Sequence, residues 1–152
     1  MLTEEINKKA LNVIINILNE CSYIFADPIS EEDIPSLNEL NLRGVTLEYK
    51  GHKSGNVSLF ANDEFLRYAA ANMLGIDEDS NDAIEKGFDS IKEILNMVVG
   101  NLLTEIYGCD PIFDIGIPSI FNSLDEMEDF QEKDRICLNA DDHILIFEFN
   151  IQ

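Results

Sequence analysis

Apolar residues recur at three- and four-residue intervals in two long stretches of the chain. Such spacing places them on one face of an α-helix, which predicts a helix over about 3–22 and a longer one over about 82–107. Thr3 can cap the N-terminus of the first helix, and Gly108 ends the second. The apolar positions of the first stretch are Ile6, Ala10, Val13, Ile14, Ile17, Leu18 and Cys21.

A shorter helix and a loop are predicted between the two long helices. The short helix begins after an Asn62 or Asp63 cap and ends at Leu74-Gly75, because glycine commonly follows the last helical turn. The segment from Asp27 to Glu39 contains two prolines and lacks a regular spacing of apolar residues. It is therefore predicted to be a surface loop.

Alternating apolar residues predict strands elsewhere in the chain. One β-hairpin is predicted from residues 42–49 and 56–61, which are joined by a turn at Gly51–Gly55. A second hairpin is predicted near the end of the sequence, from residues 135–139 and 143–151.

The remaining segments complete the predicted architecture. Residues 112–117 are predicted to form a strand that Pro118 interrupts, and the acidic stretch 125–134 is predicted to be a loop or a frayed turn on the surface. Helices and hairpins are mixed without the regular strand–helix–strand order of a parallel sheet. The predicted fold class is therefore α+β, with an antiparallel sheet covered by helices and one long central helix over 82–107.

The composition limits what the chain can bind. Its 152 residues carry 30 acidic and 10 basic side chains, for a formal net charge of −20, and 45% are hydrophobic. The length and the hydrophobic fraction are typical of one folded domain, which is predicted to span residues 1–152. The net negative charge repels nucleic-acid phosphates and anionic membranes. The most apolar uncharged stretch, 94–104, is far shorter than the ~20 residues of a membrane-spanning helix, and the acidic N-terminus differs from a secretory signal. A cytoplasmic location without nucleic-acid or membrane partners is predicted.

The cysteines and histidines predict neither a metal site nor a disulfide scaffold. Cys21, Cys109 and Cys137 lie far apart without a Cys-x-x-Cys pair, and the sequence has two histidines, His52 and His143. Each cysteine stands beside apolar residues. All three are therefore predicted to be small buried side chains.

The long helix carries the pattern that points to chemistry. At 100° per residue, Glu93, Asn96 and Gly100 lie within about 40° of Asp89 on one face. Asn is a poor helix former, and Gly costs ~1 kcal/mol relative to Ala in a helix interior, so helix formation does not explain either residue. The alternative interpretation is an ordinary solvent-exposed face with Gly100 at a helix crossing. The apolar residues of the opposite face are Ile91, Leu95, Val98 and Leu102.

These residues resemble a motif of the CheC/CheX/FliY chemotaxis phosphatases, and of the CheX branch in particular. In this sequence the motif is Asp89-x-x-x-Glu93-x-x-Asn96, continued by Gly100-Asn101. Other elements agree with the same family in their order along the chain. They are the hairpin from Gly44 to Leu59, the short helix ending at Met73-Leu74-Gly75, and the strand around Ile115 to Ile120 with its Pro118.

The resemblance implies one site, where a CheC-like enzyme has two. A second Glu-x-x-Asn pair, Glu4 and Asn7, lies at the start of the first helix. Lys8-Lys9 follows it, where a glycine-containing apolar stretch would be expected. The chain is therefore expected to be CheX-like.

The resemblance implies a phosphatase that hydrolyses the phospho-aspartate of a CheY-like receiver domain in chemotaxis signalling. Asn96 would position the attacking water, and Glu93 would pair with the phosphate-site lysine of the receiver and orient it. Asp89 would make a peripheral contact with the partner, and Gly100 would let the receiver backbone approach the helix. Magnesium would come bound to the receiver, so no cofactor or metal is expected on this chain.

Two other functions remain open from the sequence. The first is a noncatalytic interaction module, similar to flagellar-switch relatives that share the fold and lack the catalytic residues. Glu93 and Asn96 on one stripe argue against it. The second is a hydrolase that uses the Glu93 and Asp89 carboxylates, and it is disfavoured because nothing in the stripe keeps either group protonated.

A homodimer is implied by the same resemblance, because CheX-like chains pair through their sheets. The alternating run from Phe147 to Ile151 gives this expectation further support. Such a strand would promote aggregation at an uncovered edge of a sheet.

Overall fold

An antiparallel sheet with helices packed on one face organises the chain. The structure, a computed structural model, describes residues 2–123 and 134–151. The elements within these ranges, in chain order, are α1 (Glu4–Ser22), β1 (Ala26–Pro28), β2 (Arg43–Gly51), β3 (Gly55–Ala61), α2 (Asp63–Leu74), α3 (Asn81–Tyr107), β4 (Phe113–Ile115), β5 (Ser119–Phe121), β6 (Asp134–Ala140) and β7 (His143–Ile151).

The strand order confirms the predicted fold class. In the described part of the chain the sheet has seven strands in the order β1-β6-β7-β3-β2-β4, and β5 also pairs with β2. Every pairing is antiparallel. Alternate side chains of the central strands pack with α1, α2 and α3 into the main core, and the opposite face carries a smaller apolar cluster.

Side-chain caps begin the three helices, and the caps of α1 and α2 are those predicted from the sequence. Thr3 Oγ1 accepts a hydrogen bond from the backbone N–H of Ile6 at 3.1 Å. Asn62 Oδ1 accepts from the N–H of Phe65 at 2.9 Å, and Ser80 Oγ accepts from Ala83 at 3.2 Å. Each cap satisfies one of the N–H groups that the first helical turn leaves without a partner.

The prediction of a loop from Asp27 to Glu39 is wrong in part. The strand β1 covers the first residues of this segment and pairs with β6, and two 3₁₀ turns follow at Glu31–Asp33 and Leu37–Glu39. A three-residue edge strand is too short to produce an alternating pattern, so its partner decides its structure. The turns place Ile34 and Leu37 against the smaller apolar cluster on the second face of the sheet.

Of the predicted strand over 112–117, only β4 forms, and a second short strand, β5, follows Pro118 outside the predicted bounds. Pro118 separates β4 from β5, and both pair with β2 at different points along its length. The predicted acidic loop at 125–134 lies outside the described residues, apart from Asp134, which begins β6.

The position of β7 corrects one argument for self-association. The run from Phe147 to Ile151 belongs to β7, which pairs with β6 on one side and β3 on the other. It is therefore an interior strand and offers no uncovered edge. The edges of the described sheet are formed by β1 and by β4 with β5.

The cysteine prediction holds for Cys137, which is buried beneath the second face of the sheet. Cys21 is half-buried and Cys109 is exposed, so the prediction is wrong for Cys109. Cys109 follows the end of α3, and its apolar neighbours in sequence belong to the last, half-buried turn of that helix. No helix in the described part of the chain is both long and apolar enough to span a membrane.

Tyr49 is the largest polar side chain in the main core. Only 1% of its surface is exposed, and its hydroxyl has no hydrogen-bond partner within the described residues. Gly55 lies opposite it on β3, where a Cβ would come 2.5 Å from the hydroxyl oxygen, so glycine makes room for the phenol. Burial, and secondly the nearby Tyr107, raises the pKa of Tyr49 to about 12.

We expect Tyr49→Phe to raise the free energy of unfolding by about 1 kcal/mol near pH 8, because the change removes a buried hydroxyl without a partner. The folded-state pKa of Tyr49 lies above its ordinary value of 10.0, so the unfolded chain loses this proton first as pH rises from 10 towards 12. Wild-type stability therefore falls across that window, and the advantage of the variant should grow by about 1 kcal/mol between pH 9 and pH 11. Urea unfolding at both values measures this, and a constant advantage would contradict the raised pKa.

Candidate functional site

The helix α3 positions the candidate site. It spans 27 residues, and Gly108 ends it with φ +82° and an N–H that donates to the Thr104 carbonyl at 2.8 Å. The opposite-face residues predicted from the sequence are all 0–1% exposed: Ile91, Leu95, Val98 and Leu102. Their burial fixes the rotation of the helix about its own axis, and with it the face that meets solvent.

The four predicted site residues lie together on that solvent face, and we call them the α3 stripe. Asp89 and Glu93 are exposed, whereas Asn96 and Gly100 are half-buried. Since a helix rises 1.5 Å per residue, the stripe covers about 16 Å of helix length. The structure therefore brings together every residue that the sequence analysis assigned to the site.

The functional groups at the centre of the stripe are available to a partner. Within residues 2–123 and 134–151, neither the Glu93 carboxylate nor the Asn96 carboxamide forms a hydrogen bond or an ion pair. Asp89 lies 3.9 Å from Lys86 Nζ, but both side chains are more than half exposed, so this pair contributes little to stability. Nothing inside the described chain explains why an asparagine stands in the middle of α3.

The presence of glycine has a different physical explanation at each of two positions of α3. A Cβ at Gly87 would come 2.9 Å from the Cβ of Leu66, so Gly87 allows α2 and α3 to approach closely. A Cβ at Gly100 would meet no atom within 4 Å. The helix-crossing explanation therefore applies to Gly87 and is wrong for Gly100, whose reason must lie outside the described packing.

A small cavity continues the stripe beyond Gly100, and we call it the Gly100 pocket. Its volume is about 180 Å³, and it lies between the last turns of α3 and the strand β4. Its lining residues are Gly100, Leu103, Thr104, Gly108, Cys109, Pro111, Phe113 and Ile115. A larger cavity of about 230 Å³ lies on the other face of the sheet and shares no residue with the stripe.

The wall that β4 contributes to the Gly100 pocket is held by aromatic packing. The Phe113 ring lies 5.9 Å from the Tyr49 ring, edge to face, and 5.3 Å from the Tyr107 ring. The sequence analysis missed this pocket, because no local pattern shows that β4 pairs with the end of β2 and so comes to lie beside α3. The open glycine at position 100 was the one signal that pointed towards it.

The described residues offer no cluster for a metal ion. Within these residues, no group of three or more His, Cys, Asp or Glu side chains is placed to hold one. The stripe itself carries two carboxylates and no cation. It can position a water molecule and accept hydrogen bonds, and a phosphoryl group bound there would need its neutralising charge from another source.

Comparisons with known proteins agree with this geometry. The family model described as chemotaxis phosphatase CheX matches residues 43–140, well over half of the chain. No curated protein matches the chain.

The structure is similar to several solved proteins. A chemotaxis protein CheX from Desulfovibrio desulfuricans is 21% identical, with 97% of this chain and 99% of that chain covered and a TM-score of 0.70. A CheX–CheY–BeF3–Mg²⁺ complex from Borrelia burgdorferi gives 16% identity, coverage of 96% and 97%, and a TM-score of 0.70. FliY from Thermotoga maritima gives 15% identity, coverage of 100% and 86%, and a TM-score of 0.51. At these identities the likeness shows a shared fold.

The same substitution, glycine to alanine, can be made at each of the two glycines of α3 and the stabilities compared. Gly87→Ala and Gly100→Ala gain the same helix propensity, but the first forces a Cβ against Leu66 and the second fills open space. We expect Gly100→Ala to raise the free energy of unfolding and Gly87→Ala to leave the chain about 1–3 kcal/mol less stable than Gly100→Ala, the usual cost of overpacking. Urea unfolding of the two variants measures the difference, and equal stabilities would mean that both glycines are free of internal packing.

Proposed function

Because the chain belongs to the CheX family of chemotaxis phosphatases, we propose that it hydrolyses the phospho-aspartate of a CheY-like receiver domain. The observation that carries the proposal is the pair formed by the Glu93 carboxylate and the Asn96 carboxamide, one turn apart on the solvent face of α3 and without partners among the described residues. A protein of the same fold has been solved as a complex with CheY, BeF3 and Mg²⁺, which supports a CheY-like partner.

Asn96 positions the attacking water. An aspartyl phosphate is an acyl phosphate, an already activated mixed anhydride, so the main task is to hold a water molecule in line with the phosphorus atom. The water oxygen forms a bond to phosphorus, the bond from phosphorus to the aspartyl oxygen breaks, and its electron pair leaves with the carboxylate. The released proton goes to the phosphate product. The Asn96 carboxamide both donates and accepts hydrogen bonds, so it orients the water without ionising.

Glu93 orients the receiver. It lies one turn before Asn96, so its carboxylate can pair with a lysine beside the phosphorylated aspartate while Asn96 reaches the water. Asp89 makes a peripheral contact at the start of the stripe. Gly100 leaves the space that a close approach of the receiver requires.

The neutralising charge comes from the receiver. The stripe carries no cation, and the chain has a net charge of −20, so neither attracts a free phosphate ester. The lysine and the magnesium ion of the receiver bind the phosphoryl oxygens and stabilise the charge of the transition state.

A noncatalytic interaction module is the second candidate, and the fold shared with FliY fits it. The two proposals differ in one measurement, the decay of a phosphorylated CheY-like receiver with and without this protein. A faster decay supports the phosphatase. Binding without any change in the decay rate supports the module.

We expect Asn96→Ala and Glu93→Gln to separate two roles. Asn96→Ala removes the water-positioning contact, which raises the activation free energy by ~3–4 kcal/mol and lowers kcat by roughly two to three orders of magnitude. Glu93→Gln mainly raises KM for the receiver and reduces its dependence on salt, because a charged docking contact is lost. Steady-state phosphate release at low and high salt measures both effects.

Two matched variants serve as controls for this experiment. Asn12→Ala changes an exposed asparagine on α1, and Glu105→Gln changes an exposed glutamate on α3 that lies about 160° around the helix from Asp89. Both should keep wild-type kinetics, and thermal unfolding should be nearly unchanged in all four variants. Near-normal activity of Asn96→Ala would contradict the mechanism.

We expect hydrolysis to require both the receiver and its magnesium. Chelation of magnesium should abolish turnover of the phosphorylated receiver, and acetyl phosphate or nitrophenyl phosphate should not be turned over at a measurable rate. The reason is that the stripe supplies no cation of its own. Robust hydrolysis of a small phosphate ester by the purified chain would show that the site is self-sufficient.

We also propose that the chain forms a homodimer through the edge of the sheet at β5. Two isoleucines lie exposed at or beside this strand, and among the described residues β5 pairs only with β2, which leaves an edge where strands of two chains can pair. Their exposed fractions are 91% for Ile117 and 38% for Ile120. The predicted cytoplasmic location and the single domain over residues 1–152 stay predictions.

We expect light scattering at micromolar concentration to give the mass of a dimer. Ile117→Glu should shift the mass to that of a monomer, because it places a charge on the apolar edge. Ile84→Glu is the matched control, since Ile84 is also exposed, at 59%, but lies on α3. A wild-type monomer, or an equal effect of both variants, would count against this interface.

A further inference from the structure

We propose that the Gly100 pocket receives one apolar side chain of the receiver, which fixes the docking register beside the water-positioning residue. This inference rests on the proposed function and adds a second contact to the pairing by Glu93. It also assigns a role to Thr104, Phe113 and Ile115, which the proposed mechanism does not use.

The chemistry of the lining favours an uncharged occupant. The eight lining residues include no charged side chain, although the chain carries a net charge of −20. Leu103, Phe113 and Ile115 offer carbon surface among the polar groups of the lining, and Ile115 remains 40% exposed without a receiver bound. Covering that carbon surface with an apolar side chain removes it from water, which is favourable.

The size of the pocket favours one side chain. A cavity of about 150 Å³ lined by apolar residues is large enough to bind benzene. The Gly100 pocket, at about 180 Å³, therefore has room for one leucine, methionine or phenylalanine side chain. Because the Phe113 wall is already packed against Tyr49 and Tyr107, little ordering is needed on binding.

Continuity with the α3 stripe favours the receiver over other occupants. Gly100 belongs to both the stripe and the pocket lining, and it lies four residues, or about 6 Å along the helix, beyond Asn96. A receiver with its phosphoryl group at Asn96 therefore has neighbouring surface directly over the pocket. Glycine at position 100 destabilises α3 relative to alanine, and no neighbouring atom requires it, so the opening serves a contact from outside the described chain.

Two substitutions at Thr104 test the pocket. Thr104 is exposed on α3, lines the pocket, and donates a hydrogen bond from Oγ1 to the Gly100 carbonyl at 3.2 Å. Thr104→Leu should extend into the cavity, whereas Thr104→Val removes the same hydrogen bond and keeps the volume. We expect Thr104→Leu to weaken the Kd for a CheY-like receiver activated with BeF3 and Mg²⁺ at least tenfold. Thr104→Val should stay within twofold of wild type.

Cys109 provides a second measurement that does not depend on activity. Cys109 lines the pocket and is exposed, whereas Cys137 is buried and its pKa is raised by burial to about 11, so Cys137 reacts slowly. In a Cys21→Ser background, saturation with the activated receiver should slow the reaction of Cys109 with a disulfide reagent at least tenfold. An unchanged rate would overturn the proposal.

The outcomes separate this inference from the proposed function. Hydrolysis by the wild type together with an unchanged Kd in Thr104→Leu overturns the pocket and leaves the phosphatase standing. Receiver binding that Thr104→Leu weakens, without any hydrolysis, supports the pocket and overturns the phosphatase. A change of mass in light scattering without a change of Kd overturns the pocket as a receiver site and assigns it to self-association.

Discussion

The burial of one face of α3 is the constraint on which the rest of the structure depends. This face packs against α1, α2 and the sheet, and each fully buried Ile, Leu or Val side chain contributes roughly 1.5–3 kcal/mol. Rotation of the helix by one residue, 100°, would expose part of that surface and bury part of the α3 stripe. The apolar core therefore determines the direction in which Glu93 and Asn96 point, although neither residue belongs to it.

Glycine shows how the same residue type serves two constraints on one helix. At position 87 the contact with Leu66 requires it, so the fold itself explains the residue. At position 100 a Cβ would meet no atom within 4 Å in the described chain, and helix stability would favour alanine. A residue that is costly to its own element and unnecessary to the core marks a surface shaped by something that binds there. That reasoning connects the stripe to the pocket beside it.

The sequence predicted the parts of the structure that depend on local spacing. The three helices, both hairpins and the common face of Asp89, Glu93, Asn96 and Gly100 follow from periods of 3.6 and 2 residues, and the caps of α1 and α2 follow from the residue types that precede them. The sequence did not predict the short strand β1, the interior position of β7 or the exposure of Cys109. These features depend on which distant strands pair, and a three-residue strand carries no pattern of its own. The Gly100 pocket was not predicted for the same reason, because β4 forms its wall only through pairing with β2.

Charge divides the proposed reaction between two proteins. At physiological ionic strength the Debye length is about 8 Å, so the net charge of −20 acts mainly on ions that approach the open surface. A phosphoryl group carried by a receiver arrives already paired with a lysine and a magnesium ion, and the surrounding protein displaces water and salt from the contact. Once hydrolysis frees the phosphate and the receiver departs, the phosphate ion lies beside the Asp89 and Glu93 carboxylates. It then lacks the lysine and the magnesium ion that the receiver supplied. In the proposed reaction, the same acidic surface disfavours binding of small phosphate esters and favours release of the product.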